Sequence, residues 1–386
     1  MSAAISQKKD IPREIELDRS DWELVTFGDV AIKQNTAVDR KNMDVSRYVA
    51  GEHMGSEDLH LRQWGEVGED YLGPAFTRRF SKGDILYGSR RTYLRKVAVA
   101  HFDGVTANTT FVIKANEDLI LPKLLPFVML SEGFAQHSIR NSKGSVNPYI
   151  NWKDIANYEF LLPPKDQQAK LAELLWAADA SVESDRALLS CCELLFKSIE
   201  VESFAREGKK SEGLLDVATI KRGKFTHRPR NEPRFYGGTI PFIQTSEVVN
   251  SGKFIREFTQ TLNEEGLKIS KMFPKGTIVM TIAANIGYVG ILDFDSAFTD
   301  SLVGVTADKK IILQEYLYYY LSFYQPVLDR LAPESAQKNL SLDTMMSFKV
   351  SYPVNKSDQA DVVKKLDQVL DAISSSREAD FFPLNC

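Results

Sequence analysis

At 386 residues the chain is long enough for two or three domains that each bury a core, and its composition is that of an ordinary globular protein. Its three cysteines, including the adjacent pair Cys191-Cys192, lack metal-ligand spacing and suit a reducing cytosol better than a secreted disulfide framework, and no run is long and apolar enough to cross a bilayer. The net charge of −4 is segregated: residues 165–210 carry seven basic and nine acidic residues and residues 356–386 four and six, so these two segments hold the whole excess.

In chain order, residues 1–19 read as a flexible leader. The first fifteen carry both charges and no signal-peptide core, so a cytoplasmic location is expected. A first globular domain is expected over 20–162, opening on Trp22-Glu23-Leu24-Val25. Residues 53–64 read as loop with a short element. Residues 80–87 form a turn feeding a strand, and 97–100 and 110–113 are further strands rich in β-formers. Residues 121–140 read as one or two helices interrupted at Pro126, 144–158 as a polar loop, and 159–162 as a strand.

Pro163-Pro164 then mark a helix start, and neither Pro nor Gly follows until Gly208. Leu171, Leu175, Ala178, Val182, Leu189, Cys192 and Phe196 recur at spacings of three and four, broken only by Asp185. This heptad seam predicts a long helix within 163–207, about 60 Å for some forty residues of helix, laid against a second helix. Residues 208–213 read as a flexible linker, 214–353 as a second domain, 354–380 as a second long helix, and 381–386 as an apolar tail. In the second helix Val363, Leu366, Leu370 and Ile373 repeat the seam. Each seam wants one partner, and an antiparallel pair satisfies both.

The second half replays the first. Residues 273–280 match 80–87 at an offset of 193, Phe294-Asp295 match Phe102-Asp103 at 192, Asn339 matches Asn147 at 192, and Gln359 matches Gln168 at 191. The expected fold is therefore α+β with long helices: two tandem α/β domains joined by an antiparallel coiled-coil pair, related by an internal pseudo-twofold repeat.

Each half also carries a basic segment. Arg78, then Arg90, Arg91, Tyr93 and Arg95, lie in the first; Lys221, Arg222, Lys224, Arg228 and Arg230 lie in the second. Polar loops with Lys143 and Asn147, and with Gln337, Lys338 and Asn339, occupy corresponding places. Guanidinium groups bind phosphates and guanine edges, lysines neutralise phosphates, and amides read adenine edges. The same segments also fit a solvated surface strip and capped turns.

A search for catalytic chemistry finds none. There is no P-loop, no H-E-x-x-H and no Cys-rich cluster, and the five histidines are scattered. Asn147-Pro148-Tyr149 is similar to the N-P-P-[YF] motif of adenine methyltransferases but lacks its second proline, and no glycine-rich S-adenosylmethionine loop precedes it. Duplication without a catalytic centre points to binding or scaffolding: a DNA-binding protein, a coiled-coil adaptor with protein-binding domains, or, against the missing motifs, a methyltransferase or nuclease acting alone.

Trp22-x-x-Val25, the K-G-D-I-L turn at 82–86, the A-Q-K-N-L loop at 336–340 and the L-P-P…Q helix start at 162–168 together resemble the specificity subunit of a type I restriction-modification system, over residues 22–376. The resemblance implies two target-recognition domains that each read one part of a split double-stranded DNA sequence. It implies a helical spacer that docks two methyltransferase (modification) subunits, with restriction subunits added. S-adenosylmethionine, ATP and Mg²⁺ would belong to those partners, with no cofactor, metal or catalytic residue on this chain. The short second helix, about 30 Å over 357–376, and the absence of a second-half counterpart to Trp22 depart from the pattern.

Overall fold

A computed structural model describes residues 18–39, 43–68, 72–205, 210–333, 338–346 and 348–380. The leader up to 17, residues 208–209 of the expected linker, Gln337 and the tail lie outside the described residues. The chain divides into two compact units, one within 1–183 and one within 184–382.

In the first unit, Glu23–Thr26 pairs antiparallel with Glu159–Leu162, so the chain's opening closes against the strand that leads into the long helix. Phe27–Val30 adds one helical turn, whose start is held by the Asp29 carboxylate on the Thr26 N–H and hydroxyl. A four-stranded antiparallel sheet follows, in the order Ala31–Gln34, Thr110–Ala115, Ile85–Gly88, Val97–Val99. A second sheet has the order Gly65–Glu66, Arg47–Val49, Gly104–Ala107, Phe76–Phe80.

Ile85 and Tyr87 pack with Phe111, Leu125, Met129 and Phe134, whereas Leu86 turns to the opposite face with Val49, Phe80 and Val112. The middle of the first sheet is thus covered on both sides, which is why most of Ile85–Gly88 and the first part of Thr110–Ala115 are buried residue after residue rather than alternately. Pro126 does not break the helical region. It sits in the first turn of Leu125–Leu130, where its missing N–H has no intrahelical role, and the break falls at Ser131, whose hydroxyl caps Glu132–Arg140 by accepting the Phe134 N–H.

The second unit repeats the plan. Its first sheet has the order Ala218–Arg222, Leu302–Ala307, Ile278–Thr281, Val289–Leu292, Phe254–Ile255, and the second Gln260–Leu262, Tyr236–Ile243, Ser296–Phe298, Met272–Phe273. Gln314–Phe323 buries Tyr316 and Tyr319 against the first sheet. The turn before the third strand is the same in both halves. Gly83 and Gly276 adopt φ of +93° and +86°, and Asp103 and Asp295 accept the N–H of Lys82 and Lys275 at 2.8 and 2.7 Å.

Residues 210–213 are not linker. Lys210–Gly213 is a strand paired antiparallel with Lys349–Tyr352, the counterpart of the Trp22-Glu23-Leu24-Val25 opening. Its polar sequence carries no strand pattern; the partner strand supplies the order.

The two long helices are Lys165–Glu200, about 54 Å, and Lys356–Asp380, about 37 Å. The seam residues differ in what they touch. Leu171 and Leu175 pack against the first unit's own core, with Trp176 donating its indole N–H to the Lys123 carbonyl at 2.9 Å. Leu366 is fully buried and Val363 half-buried in the second unit's core, to which Phe196 and Ile199 also pack. Ala178, Val182, Leu189, Cys192 and Leu370 are half-buried and Ile373 buried. Within the second unit the helices run antiparallel. Tyr318 feels both Glu200 and Asp367, while further along Arg377 reaches Glu193 at 2.9 Å.

Candidate nucleic-acid interface

In the first unit, strand direction gathers several chain segments at one edge. The end of Ala31–Gln34, the start of Thr110–Ala115, the end of Ile85–Gly88 and the start of Val97–Val99 all lie there. The connection after Gly88 carries Arg90, Arg91 and Tyr93, all exposed, with Tyr93 52% accessible. Arg91 adopts a left-handed φ of 49°, held by its N–H on the Pro148 carbonyl at 2.6 Å, and Arg90 pairs with Tyr149. These bonds bring the 141–149 loop, with exposed Asn147 and Val146, beside the two arginines.

Other cations there are differently engaged. Lys143 is exposed but paired to Asp154 at 3.0 Å, which holds that carboxyl below its usual range. The Lys96 ammonium is pushed down by burial and then by Arg91. Arg95 is occupied by the protein, bonding Glu57, Glu132 and the Leu130 carbonyl. Arg78 lies on the edge strand Phe76–Phe80, and Ala37, just beyond the end of Ala31–Gln34, pairs with it.

The equivalent edge of the second unit carries charge in another loop. Arg222 ends the first strand and donates to the Asp300 carbonyl at 2.6 Å. The Asp300 carboxylate pairs with Arg228 at 2.9 Å and with Arg230. Arg228 also donates to the carbonyls of Phe225 and His227, so the loop is ordered by its own arginines. Lys221 and Lys224 are exposed beside it. Two guanidinium groups share the Asp300 carboxylate and a third meets its backbone carbonyl, so one acid faces three arginines and the edge is left strongly positive. The connection over 282–288, counterpart of the Arg90-Arg91 loop, carries no charge.

A family model for the type I restriction modification DNA specificity domain matches residues 19–190 and again 207–379. The chain belongs to this family. Among relatives, a putative type I restriction enzyme MjaX specificity subunit of Methanocaldococcus jannaschii is 22% identical, covering 93% of this chain and 89% of the relative. The HindI specificity subunit of Haemophilus influenzae is 20% identical over 86% and 90%. A type I restriction-modification S subunit from M. genitalium shares the fold with a TM-score of 0.62 at 14% identity, covering 95% and 94%. A chain from a type I R-M system structure has a TM-score of 0.57 at 19%, covering 93% of each. The protein is thus a type I DNA specificity subunit with two specificity domains, a recognition component rather than a catalytic one.

Within this specificity subunit the repeat corrects one sequence match. Asn339 pairs with Ala283 as Tyr149 pairs with Arg90, and the Leu340 N–H meets the Ile282 carbonyl as Ile150 meets Ser89. Asn339 therefore stands at the place of Tyr149, not of Asn147; the two loops differ in length, which shifts the offset. Lys338 is half-buried and paired to Asp329 at 2.8 Å. Among the described residues no cluster of three or more His, Cys, Asp or Glu could hold a metal ion, and no helix is long and apolar enough to cross a membrane. Lys33 escaped the sequence reading. It is a single lysine in a short strand, and only the pairing of Ala37, just beyond that strand, with Arg78 brings the two strands together.

Proposed function

We propose that this specificity subunit recognises a split double-stranded DNA target, each unit reading one part with the cationic edge of its first sheet. The observation that carries this reading is that edge itself, present in both units but built from different loops: the 89–95 connection in the first and residues 221–230 in the second. A shared frame with divergent loops suits two domains that bind the same polymer and read different bases.

The long helices serve, on this reading, as spacer and as docking surface for two modification subunits, with restriction subunits added. Leu188 and Leu195 support this. One heptad apart and flanking seam residues Leu189 and Phe196, they are 54% and 49% exposed. S-adenosylmethionine, ATP and Mg²⁺ belong to the partner subunits, and the complex works in the cytoplasm.

The test is to express the full chain with its modification subunits and map methylated adenines. A split target is expected, with Arg90→Ala/Arg91→Ala weakening methylation through one part and Arg228→Ala through the other. A continuous target, or both variants acting on the same part, would refute the assignment.

A further inference from the structure

Two edge strands of the first unit each bring a cation to one place, and no carboxylate meets either among the described residues. Lys33 lies on Ala31–Gln34, an edge of the first sheet, with its ammonium 4.9 Å from the Phe111 ring centre. That ring is fixed by the Trp152 edge at 5.8 Å and by stacked Tyr87 at 6.2 Å. Arg78 lies on Phe76–Phe80, an edge of the second sheet. The segment joining the two is held tightly: the Val38 N–H donates to the Thr77 carbonyl at 3.0 Å and the Arg79 N–H to the Thr36 carbonyl at 2.9 Å.

The two charges feel each other. The Lys33 ammonium is pushed below its ordinary range by burial first and then by the Arg78 guanidinium. Nη1 of Arg78 is buried with no acceptor among the described residues. Neighbouring arginines of this unit have carboxylate partners, as Arg78 does not: Arg79 meets Asp44 and Asp103, Arg62 meets Asp58 and Glu183, and Arg95, whose Nε is likewise buried without an acceptor, meets Glu57 and Glu132. Like charges held together on strands, with one donor buried and unused, form an arrangement that an anion completes. A phosphodiester suits it, since one negative charge spread over two oxygens can take the guanidinium fork and the ammonium together.

We propose that Lys33 and Arg78 grip one backbone phosphate of DNA bound at this edge. The proposal rests on the DNA-recognition reading above and adds to it a fixed point. An anchor on strands sets the register from which the Arg90-Arg91 loop reaches the bases.

The test uses the full chain with its modification subunits, and duplexes with and without the methylated target, titrated over a range of salt. Lys33→Met with Arg78→Met is expected to weaken binding to both duplexes by the same factor, about tenfold. The slope of log affinity against log salt should shrink by about 0.9, with the preference for the target unchanged. Lost preference at one base position with an unchanged slope would overturn the proposal in favour of base reading, and unchanged binding would also overturn it. Failure of the unsubstituted complex to bind DNA would instead refute the reading on which the proposal rests. Arg78→Met alone should melt at or above the unsubstituted temperature, because an unpaired cation is removed; a lower melting temperature would show that Arg78 serves the fold.

Discussion

Gln168 and Gln359 make the same three hydrogen bonds, each at the start of a long helix and each within its own unit. The Gln168 carboxamide accepts the Leu121 N–H at 2.8 Å and donates to the carbonyls of Leu119 and Pro163. Gln359 accepts the Leu313 N–H at 2.8 Å and donates to Ile311 and Pro353. Both side chains are buried, so each amide ties a helix's first turn to the loop before its domain's helical layer.

Gln168→Leu and Gln359→Leu should therefore each destabilise the unit that holds the residue by about 3 kcal/mol, since three backbone groups, all at least partly buried, lose their partner. Chemical denaturation with a probe in each unit checks this. An effect below about 1 kcal/mol would show that the amides decorate the junction rather than hold it.

Arg90 and Arg95 stand five residues apart in sequence yet should behave in opposite ways. Arg90→Ala should weaken DNA binding and leave the melting temperature unchanged, because its side chain is exposed. Arg95→Ala should lower stability by about 1–2 kcal/mol through loss of Glu57, Glu132 and the Leu130 carbonyl. Binding and melting measured on both variants decide; a melting loss on Arg90→Ala would refute the distinction.

Asp300→Asn releases Arg228 and Arg230 and removes a negative charge from the edge. Affinity for random duplex should rise, while the preference for the target falls by roughly tenfold because the guanidinium groups are no longer held in place. Competition binding at fixed salt measures both, and an unchanged preference would show that Asp300 orders nothing the DNA uses.

Leu366→Asp places a carboxylate in a fully buried site and should cost about 4 kcal/mol, unfolding the second unit. Leu175→Asp should likewise strain the first unit, so neither substitution separates the helices while sparing the domains. Leu188→Asp with Leu195→Asp should keep the fold within about 0.5 kcal/mol and abolish capture of the modification subunits. Gel filtration of the co-expressed proteins reads the outcome, and an intact complex would sink the docking assignment.

Burial near Tyr318 pushes the Glu200 carboxyl up to about 7, against a smaller opposing pull from Lys197. A raised carboxyl favours the folded state while protonated, so stability should fall as pH rises from about 4.5 to about 7 and then level off. Because the group is partly open to solvent, the change should be no more than about 2 kcal/mol. Glu200→Gln should be the more stable protein at pH 8 and should flatten this window; parallel pH profiles that persist in the variant would rule Glu200 out.

The duplication, the strands around Leu86 and Val279, the two helix starts and the basic segments were all legible in the sequence. Each is written in signals along the chain: apolar runs, prolines, a glutamine repeated at a near-constant offset, clustered charge. Lys210–Gly213 was not legible, because a polar segment becomes a strand only when Lys349–Tyr352 lies beside it. Nor was the fate of individual cations. Arg78 and Arg79 are adjacent in sequence, yet the pleat sends one to Asp44 and Asp103 and the other towards Lys33. Sequence alone determined that this chain is a doubled α/β protein with two long helices, since repetition and periodicity are properties of order along the chain. Only the tertiary structure decided which guanidinium groups face outward, because that depends on acids brought near from distant segments, and on which side of a strand each residue falls.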